Sequence, residues 1–329
     1  MANTKHGLQE TKGMFQLRGL VTGVEKGNFY TEKKTRTNKD MRIVNFGVNV
    51  ENGKAVYLNL NGMVKDSVCF SKKDKDGKIE VKKIQWNNRS TFNEDGYGLI
   101  GINLGLEKDD DGKNIKVTKT EFDACKEISM FLKDDMSVFS KGKIEYSSFK
   151  DNNGNVKRST KFIPQQISLT SKPIDLEDEN YEVKSDFKQQ IVFMGIEKRD
   201  GKFVVSAKII TYSTIEDAEF IIKDEKLAGV FKKNLKPYNA ITVYGNISVE
   251  ESVGEVGDDD CWGAEDPTKS VNSPTIRELV ITGATPSTID KTTYTEQIID
   301  EAIAKLNQSQ EAQDDWGKPN NSDDDDDEW

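Results

Sequence analysis

Two stretches of this chain align without a gap. "FQLRGLVTGVEKGNF" begins at Phe15 and "FKQQIVFMGIEKRDGKF" at Phe187. In each, the phenylalanine leads into the same short stretch, Gly23-Val24-Glu25-Lys26 in one and Gly195-Ile196-Glu197-Lys198 in the other. A second pair follows in the same order: "LKDDMSVFSKGKIEY" from Leu132 and "LKPYNAITVYGNISV" from Leu235. There Leu132 matches Leu235, Gly142 matches Gly245 and Ile144 matches Ile247. One such match arises by chance, whereas two in the same order predict a duplicated domain. Whatever one copy folds into, the other must be able to fold into as well.

The elements of a copy follow from periodicity. Phe15 to Val24 and Phe187 to Ile196 read as first strands that run into turns. "MRIVNFGVNV" alternates strictly, with Val44, Phe46, Val48 and Val50 on one face. In "VYLNLNG", Val56, Leu58 and Leu60 alternate with Tyr57, Asn59 and Asn61. A period of two marks half-buried strands. "EFDACKEISMFLKD" carries Phe122, Cys125, Ile128, Met130, Phe131 and Leu132 mostly at helical spacing, and "EKLAGVFKKNL" is its counterpart. A strand through the matched glycine, a long polar loop and a last strand follow, the last being "TKFIPQQISL" or "TIRELVITG". Three strands, a helix and two strands is the order of the OB-fold, a five-stranded Greek-key barrel.

The fold class expected is therefore mainly β: two tandem OB-fold barrels, the first with a long insertion, plus a disordered acidic tail. Residues 1–13 read as a flexible arm and 14–175 as the first barrel, with added hairpins at about 62–118. The linker "SKPIDLEDENYEVKS" leads to a second barrel over 185–286, a short helix over 287–308 and a disordered tail over 309–329.

Charge separates the copies. Residues 1–175 hold 31 Lys and Arg against 23 Asp and Glu, residues 176–305 hold 15 against 25, and residues 306–329 hold one against nine. The overall charge of −10 thus conceals a basic first half, a pattern expected of a nucleic-acid-facing part joined to an acidic part.

Several function classes are disfavoured. Cys69, Cys125 and Cys261 are odd in number and far apart, and His6 is the only histidine. Disulfide frameworks, His-based metal sites and catalytic triads therefore find no support. "EKDDDGKNIKVT" has a partly EF-hand-like order, but Thr118 stands where a bidentate glutamate is needed, so a hairpin turn is expected. No phosphate-loop or nucleophile-elbow motif occurs. The expectation is a protein that is not an enzyme and needs no cofactor or metal. No apolar run approaches a membrane span and the start lacks a signal-peptide core, so a cytoplasmic location is expected.

Three basic and aromatic stretches of the first copy point to nucleic acid, because single-strand binders combine a cationic groove with stacking platforms. The strand 1–2 loop offers Tyr30, Lys33, Lys34, Arg36 and Arg42. The insertion offers Lys72, Lys73, Trp86 and Arg89, and the strand 4–5 loop offers Phe149, Lys150, Lys157, Arg158 and Lys161. Tyr57 and Asn59 face outward on strand 3 if Leu58 and Leu60 face inward. Trp86, Phe70 and Phe162 fit core packing as well as stacking, whereas Tyr30, Tyr57 and Phe149 lie in polar surroundings. The second copy's strand 4–5 loop holds eight acids from Glu250 to Asp266, which would repel phosphate. That barrel reads as a structural or partner-binding module.

The basic first barrel, "VYLNLNGM", the stretch "DDMSVFSKGKIEYSSFKDNNGNVKRSTKFIPQQISL" and the acidic tail resemble single-stranded DNA-binding proteins encoded by tailed bacteriophages. The likeness is strongest over about 14–175, weaker over the second barrel and compositional over the tail. It implies OB-folds that coat single-stranded DNA in replication and recombination, in the host cytoplasm. It also implies an acidic tip that docks replication or recombination proteins, here Asp325, Asp326, Asp327, Glu328 and Trp329. Bacterial tips of this kind end in Pro-Phe, and the usual bacterial binder is a tetramer of single OB-folds. This chain ends in Asp-Glu-Trp and carries two copies, which leaves monomer and dimer open. Other readings stay open too: a scaffold whose barrels bind peptides, an RNA-binding protein, and a tail that only solubilises or that competes for the basic groove.

Overall fold

The computed structural model describes residues 4–151, 153–251 and 275–315. The first copy contains β1 (Gly13–Thr22), β2 (Tyr30–Lys34), β3 (Asp40–Glu51), β4 (Lys54–Met63), β5 (Ser67–Lys73), β6 (Ile79–Gln85), β7 (Gly98–Leu99), β8 (Ile102–Lys108), β9 (Asn114–Lys119), α1 (Glu121–Phe131), β10 (Ser137–Lys150) and β11 (Val156–Leu169). The second contains β12 (Lys184–Arg199), β13 (Lys202–Ile210), β14 (Ile215–Ile222), α2 (Glu225–Asn234), β15 (Asn239–Glu251) and β16 (Thr275–Asp290), followed by α3 (Glu296–Asp315).

Both copies close into the same barrel. In the first, β1 pairs with β3 and β10, β3 with β4, β10 with β11, and β11 returns to β4 in parallel at Phe162↔Leu58. In the second, β12 pairs with β13 and β15, β13 with β14, β15 with β16, and β16 returns to β14 in parallel at Ile221↔Val280. The residues matched by the repeat are matched in space. Phe15 lies opposite Gly142, and Phe187 lies opposite Gly245. Both glycines sit at a register shift where the strand crosses its neighbour's backbone. A Cβ at Gly142 would lie 2.0 Å from the Ile163 carbonyl oxygen, and one at Gly245 would lie 1.9 Å from that of Val280. Only glycine allows that approach.

The alternation read from the sequence decides the core. Val44, Phe46, Val48, Val50, Val56, Leu58 and Leu60 are all buried in the first barrel, with Phe15 and Phe162 edge-to-face at 5.4 Å. Burial of each such side chain contributes about 1.5–3 kcal/mol. The helix α1 is capped by Thr120, whose hydroxyl accepts the Asp123 amide at 3.2 Å, and Ala124, Cys125 and Ile128 turn onto the barrel end. Met130, included in the helical pattern, is exposed.

The two copies are joined through their first strands. β1 and β12 pair antiparallel, with Phe15 opposite Phe187 and Met14 opposite Lys188. The equivalent Phe15 and Phe187 thus face one another, with Met14↔Lys188 and Gln16↔Asp186 placed symmetrically about them, as at a two-fold interface. Among the described residues, one sheet of thirteen strands runs through both barrels.

The insertion has two parts. β6-β5-β7 make a separate three-stranded sheet over Val68, Phe70, Trp86 and Phe122, while the β8–β9 hairpin joins the barrel through β8–β11 pairing. "EKDDDGKNIKVT" is a hairpin turn: the Asp109 carboxylate accepts the amides of Asp111 (3.1 Å) and Lys113 (2.8 Å), and Gly112 takes φ +76°.

Two expectations are corrected. The arm read as flexible is packed over residues 4–12. His6 is 2% exposed, its Nε2 bonds the Thr211 carbonyl at 2.9 Å, and Leu8 joins an apolar cluster with Tyr294 and Ile299. Main-chain bonds from Lys5 to Tyr212 and from Thr11 to Ile210 tie it to the second barrel. Satisfied backbone groups hold a segment whose composition reads as mobile. Helix α3 also runs on to Asp315, into the stretch assigned to a disordered tail. Among the described residues, no helix is long and apolar enough to cross a membrane.

Candidate nucleic-acid interface

With Val44, Phe46, Leu58 and Leu60 turned inward, the opposite face of β3 and β4 carries Ile43, Asn45, Tyr57, Asn59 and Asn61. Asn45 lies opposite Asn59, and the Asn59 amide donates to the Asn45 side-chain oxygen. Asn45 in turn donates to the Asn28 carbonyl at 3.3 Å. Gly47 lies opposite Tyr57, leaving the phenol ring laid over bare backbone and 38% exposed. From Met41 to Asn49 and from Ala55 to Met63, neither strand contains an acid.

Cations rim this face. Lys26, from the loop after β1, places Nζ 5.8 Å from the Tyr57 ring centroid. Arg277, on β16 of the second barrel, places its guanidinium carbon 5.0 Å from the same centroid. Both distances are within cation–π range. Lys33 shares the outward side with Met41 on the β2–β3 hairpin, and Lys161 precedes the inward-facing Phe162 where β11 meets β4. Lys26, Lys33 and Lys161 have no carboxylate partner among the described residues.

The residues singled out in sequence fall into three groups. Tyr57, Asn59, Lys33 and Lys161 come together on the face just described. Arg36, at the tip of the β2–β3 hairpin, is exposed beside it. Phe149, Lys150, Lys157 and Arg158 extend along the β10–β11 hairpin, with Phe149 58% exposed. That hairpin leans on the second barrel, where Arg158 meets Asp217 at 3.6 Å.

The third group lies elsewhere, around the capping end of α1. Trp86 is 8% exposed and packs edge-to-face on Phe122 at 6.0 Å, so it offers no free ring to a base. Arg89 covers it at 4.3 Å and is clamped to both Asp123 oxygens at 2.8 and 2.9 Å. That carboxylate holds the Arg89 pKa above its usual value. Arg42 stacks on Phe122 at 3.9 Å and bonds Glu32 at 3.0 Å. Tyr30 donates to the same Glu32, and burial, followed by that bond, pushes its pKa up to about 12. Lys34 pairs with Asp40 at 2.9 Å. Lys72 bonds the Asp95 carbonyl at 2.8 Å, and Lys73 is exposed on the separate sheet. Phe70 and Phe162 are also core. Basic and aromatic residues here seal an apolar cluster, and Arg42, Phe70 and Arg89 also line a cleft of about 550 Å³ beside it.

The second barrel's equivalent face differs. Its outward positions on β13 and β14 include Ser206, Lys208, Asp217, Glu219 and Ile221. Lys208 is tied to Asp217 at 2.9 Å and Arg199 to Glu219 at 3.3 Å. The acidic loop running to Asp266, and the tip Asp325 to Trp329, lie outside the described residues apart from the end of β15. Arg277 was missed in sequence because nothing local distinguishes it; only the meeting of the barrels brings it to Tyr57.

A family model described as YorF matches residues 72–318. The chain belongs to the YorF family. No curated protein matches it in sequence. Among solved structures, the wild-type single-stranded DNA-binding protein from Thermus aquaticus aligns over 84% of this YorF chain and 93% of its own. The identity is 9% and the TM-score 0.38. A deletion mutant of the same Thermus aquaticus protein aligns over 84% of this chain and 94% of its own, at 8% identity and a TM-score of 0.38. At that score the likeness carries no weight for function.

Proposed function

We propose that this YorF-family chain binds single-stranded DNA without regard to sequence, on the outward face of β2, β3, β4 and β11. It acts by binding alone, with no chemical step. The observation that carries this reading is the acid-free face around the half-exposed Tyr57, rimmed by Lys26, Lys33 and Lys161. A tyrosine ring gives any base a stacking surface worth about 1–3 kcal/mol. Paired asparagines supply hydrogen bonds without repelling phosphate, and unpaired lysines release counterions from the backbone. The first barrel is the binding module and the second a structural or partner-binding one. Protection of single strands in phage replication and recombination follows as the role, with Asp325, Asp326, Asp327, Glu328 and Trp329 recruiting a replication partner.

Fluorescence anisotropy with labelled oligo-dT, oligo-rU and a duplex tests this. The expected result is steeply salt-dependent binding of oligo-dT, with duplex at least about tenfold weaker. Equal affinity for duplex, or no binding at low salt, would overturn it, and preference for oligo-rU would make RNA the ligand. Removal of Trp329 is expected to abolish capture of a replication protein from host extract; equal capture by both forms would refute the recruiting tip.

A further inference from the structure

The two barrels meet at a cleft of about 370 Å³ whose walls come from both copies: Arg158, Thr160 and Phe162 from the first, Glu219, Ile221 and Arg277 from the second. Its charges are unequal in kind. Glu219 is occupied by Arg199 at 3.3 Å, and Glu278 beside it by Lys202 at 2.9 Å. Arg158 is shared with Asp217 at 3.6 Å. Arg277 is different. Among the described residues it has no carboxylate partner, and its contact is the π face of Tyr57 on the other barrel. A guanidinium with five donors, resting on a tyrosine without an acid to hold it, can turn to an incoming phosphate at little cost.

We propose that Arg277 of the second barrel is a binding residue for the strand held on the first. It takes the phosphate next to the base stacked on Tyr57, so that the strand runs on from β4 into the cleft between the barrels. The proposal rests on the reading of Tyr57 as a stacking platform. It gives the second copy a direct part in binding despite its acidic balance. It also gives the β1–β12 junction a function, since the pairing of Phe15 with Phe187 is what sets Arg277 over the other barrel.

The test uses the full chain and labelled oligo-dT, titrated between about 50 mM and 1 M salt. One lost phosphate contact lowers the log–log salt slope by about 0.7, a loss of roughly eightfold at the low-salt end. Arg277→Ala is expected to show that loss and that slope, and Arg277→Lys to restore both in large part. Tyr57→Ala is expected to weaken binding with the slope unchanged, as stacking carries no counterion term. Circular dichroism melts establish that each variant is folded. Wild-type affinity and slope in Arg277→Ala, with Tyr57→Ala weakened, would overturn the role of Arg277 and leave the site on the first barrel standing. Wild-type behaviour in both variants would overturn the two readings together.

Discussion

The faces of β3–β4 and β13–β14 are the same surface built twice. Inward, they are interchangeable: Val44, Phe46, Leu58 and Leu60 in one barrel, Phe203, Val205, Phe220 and Ile222 in the other, all buried. Outward, they have parted. The first presents Asn45, Asn59, Asn61 and Tyr57, while the second presents Asp217 and Glu219 already bound to Lys208 and Arg199. In a period-two strand the two sets of side chains answer to different demands. Packing constrains the inward set and not the outward one, so a duplicated barrel can keep its fold while its outward surface changes.

The largest effects should fall on what the barrels share. Gly142→Ala and Gly245→Ala each force a Cβ into a carbonyl oxygen, and each is expected to cost about 3 kcal/mol, read as a lowered denaturation midpoint. A large effect at one glycine and none at the other would break the equivalence of the barrels. Trp86→Ala should cost a similar ~3 kcal/mol as a core truncation, yet leave the oligo-dT affinity of the folded protein within about twofold; a larger loss of affinity would return Trp86 to the site. Tyr57→Ala reverses that pattern, with affinity falling by about 1–3 kcal/mol and the melting temperature little changed. Smallest is Glu219→Gln, which removes an exposed ion pair worth under about 1 kcal/mol and should move neither affinity nor stability appreciably. A clear gain in DNA affinity there would show that the second face also meets the ligand.

The repeat and the strict alternation made the two barrels legible in the chain, because inward positions repeat at a period that backbone geometry imposes. The outward placement of Tyr57 and Asn59 was legible for the same reason. Trp86 and Arg89 show where pattern stops informing: an arginine stacked on a tryptophan marks a nucleic-acid groove and equally a cation lid on an apolar cluster. Nothing local distinguishes them until Asp123 is seen holding the arginine. His6 and Leu8 lie in a polar stretch without periodicity, and only contacts with Thr211 and Tyr294 order them. Arg277 depends on strands far apart in sequence meeting across the β1–β12 pairing, which no single-strand pattern encodes.

The central claim is that single strands are held on the face of β3 and β4 and not on its counterpart. Ultraviolet cross-linking of the full chain to oligo-dT, with the adducts located by mass spectrometry, reads this directly. The account predicts adducts at Tyr57 and along the β10–β11 hairpin near Phe149, with none on β13 or β14. Adducts on β13–β14 at comparable yield, or confined to the β5–β7 sheet around Trp86, would contradict it.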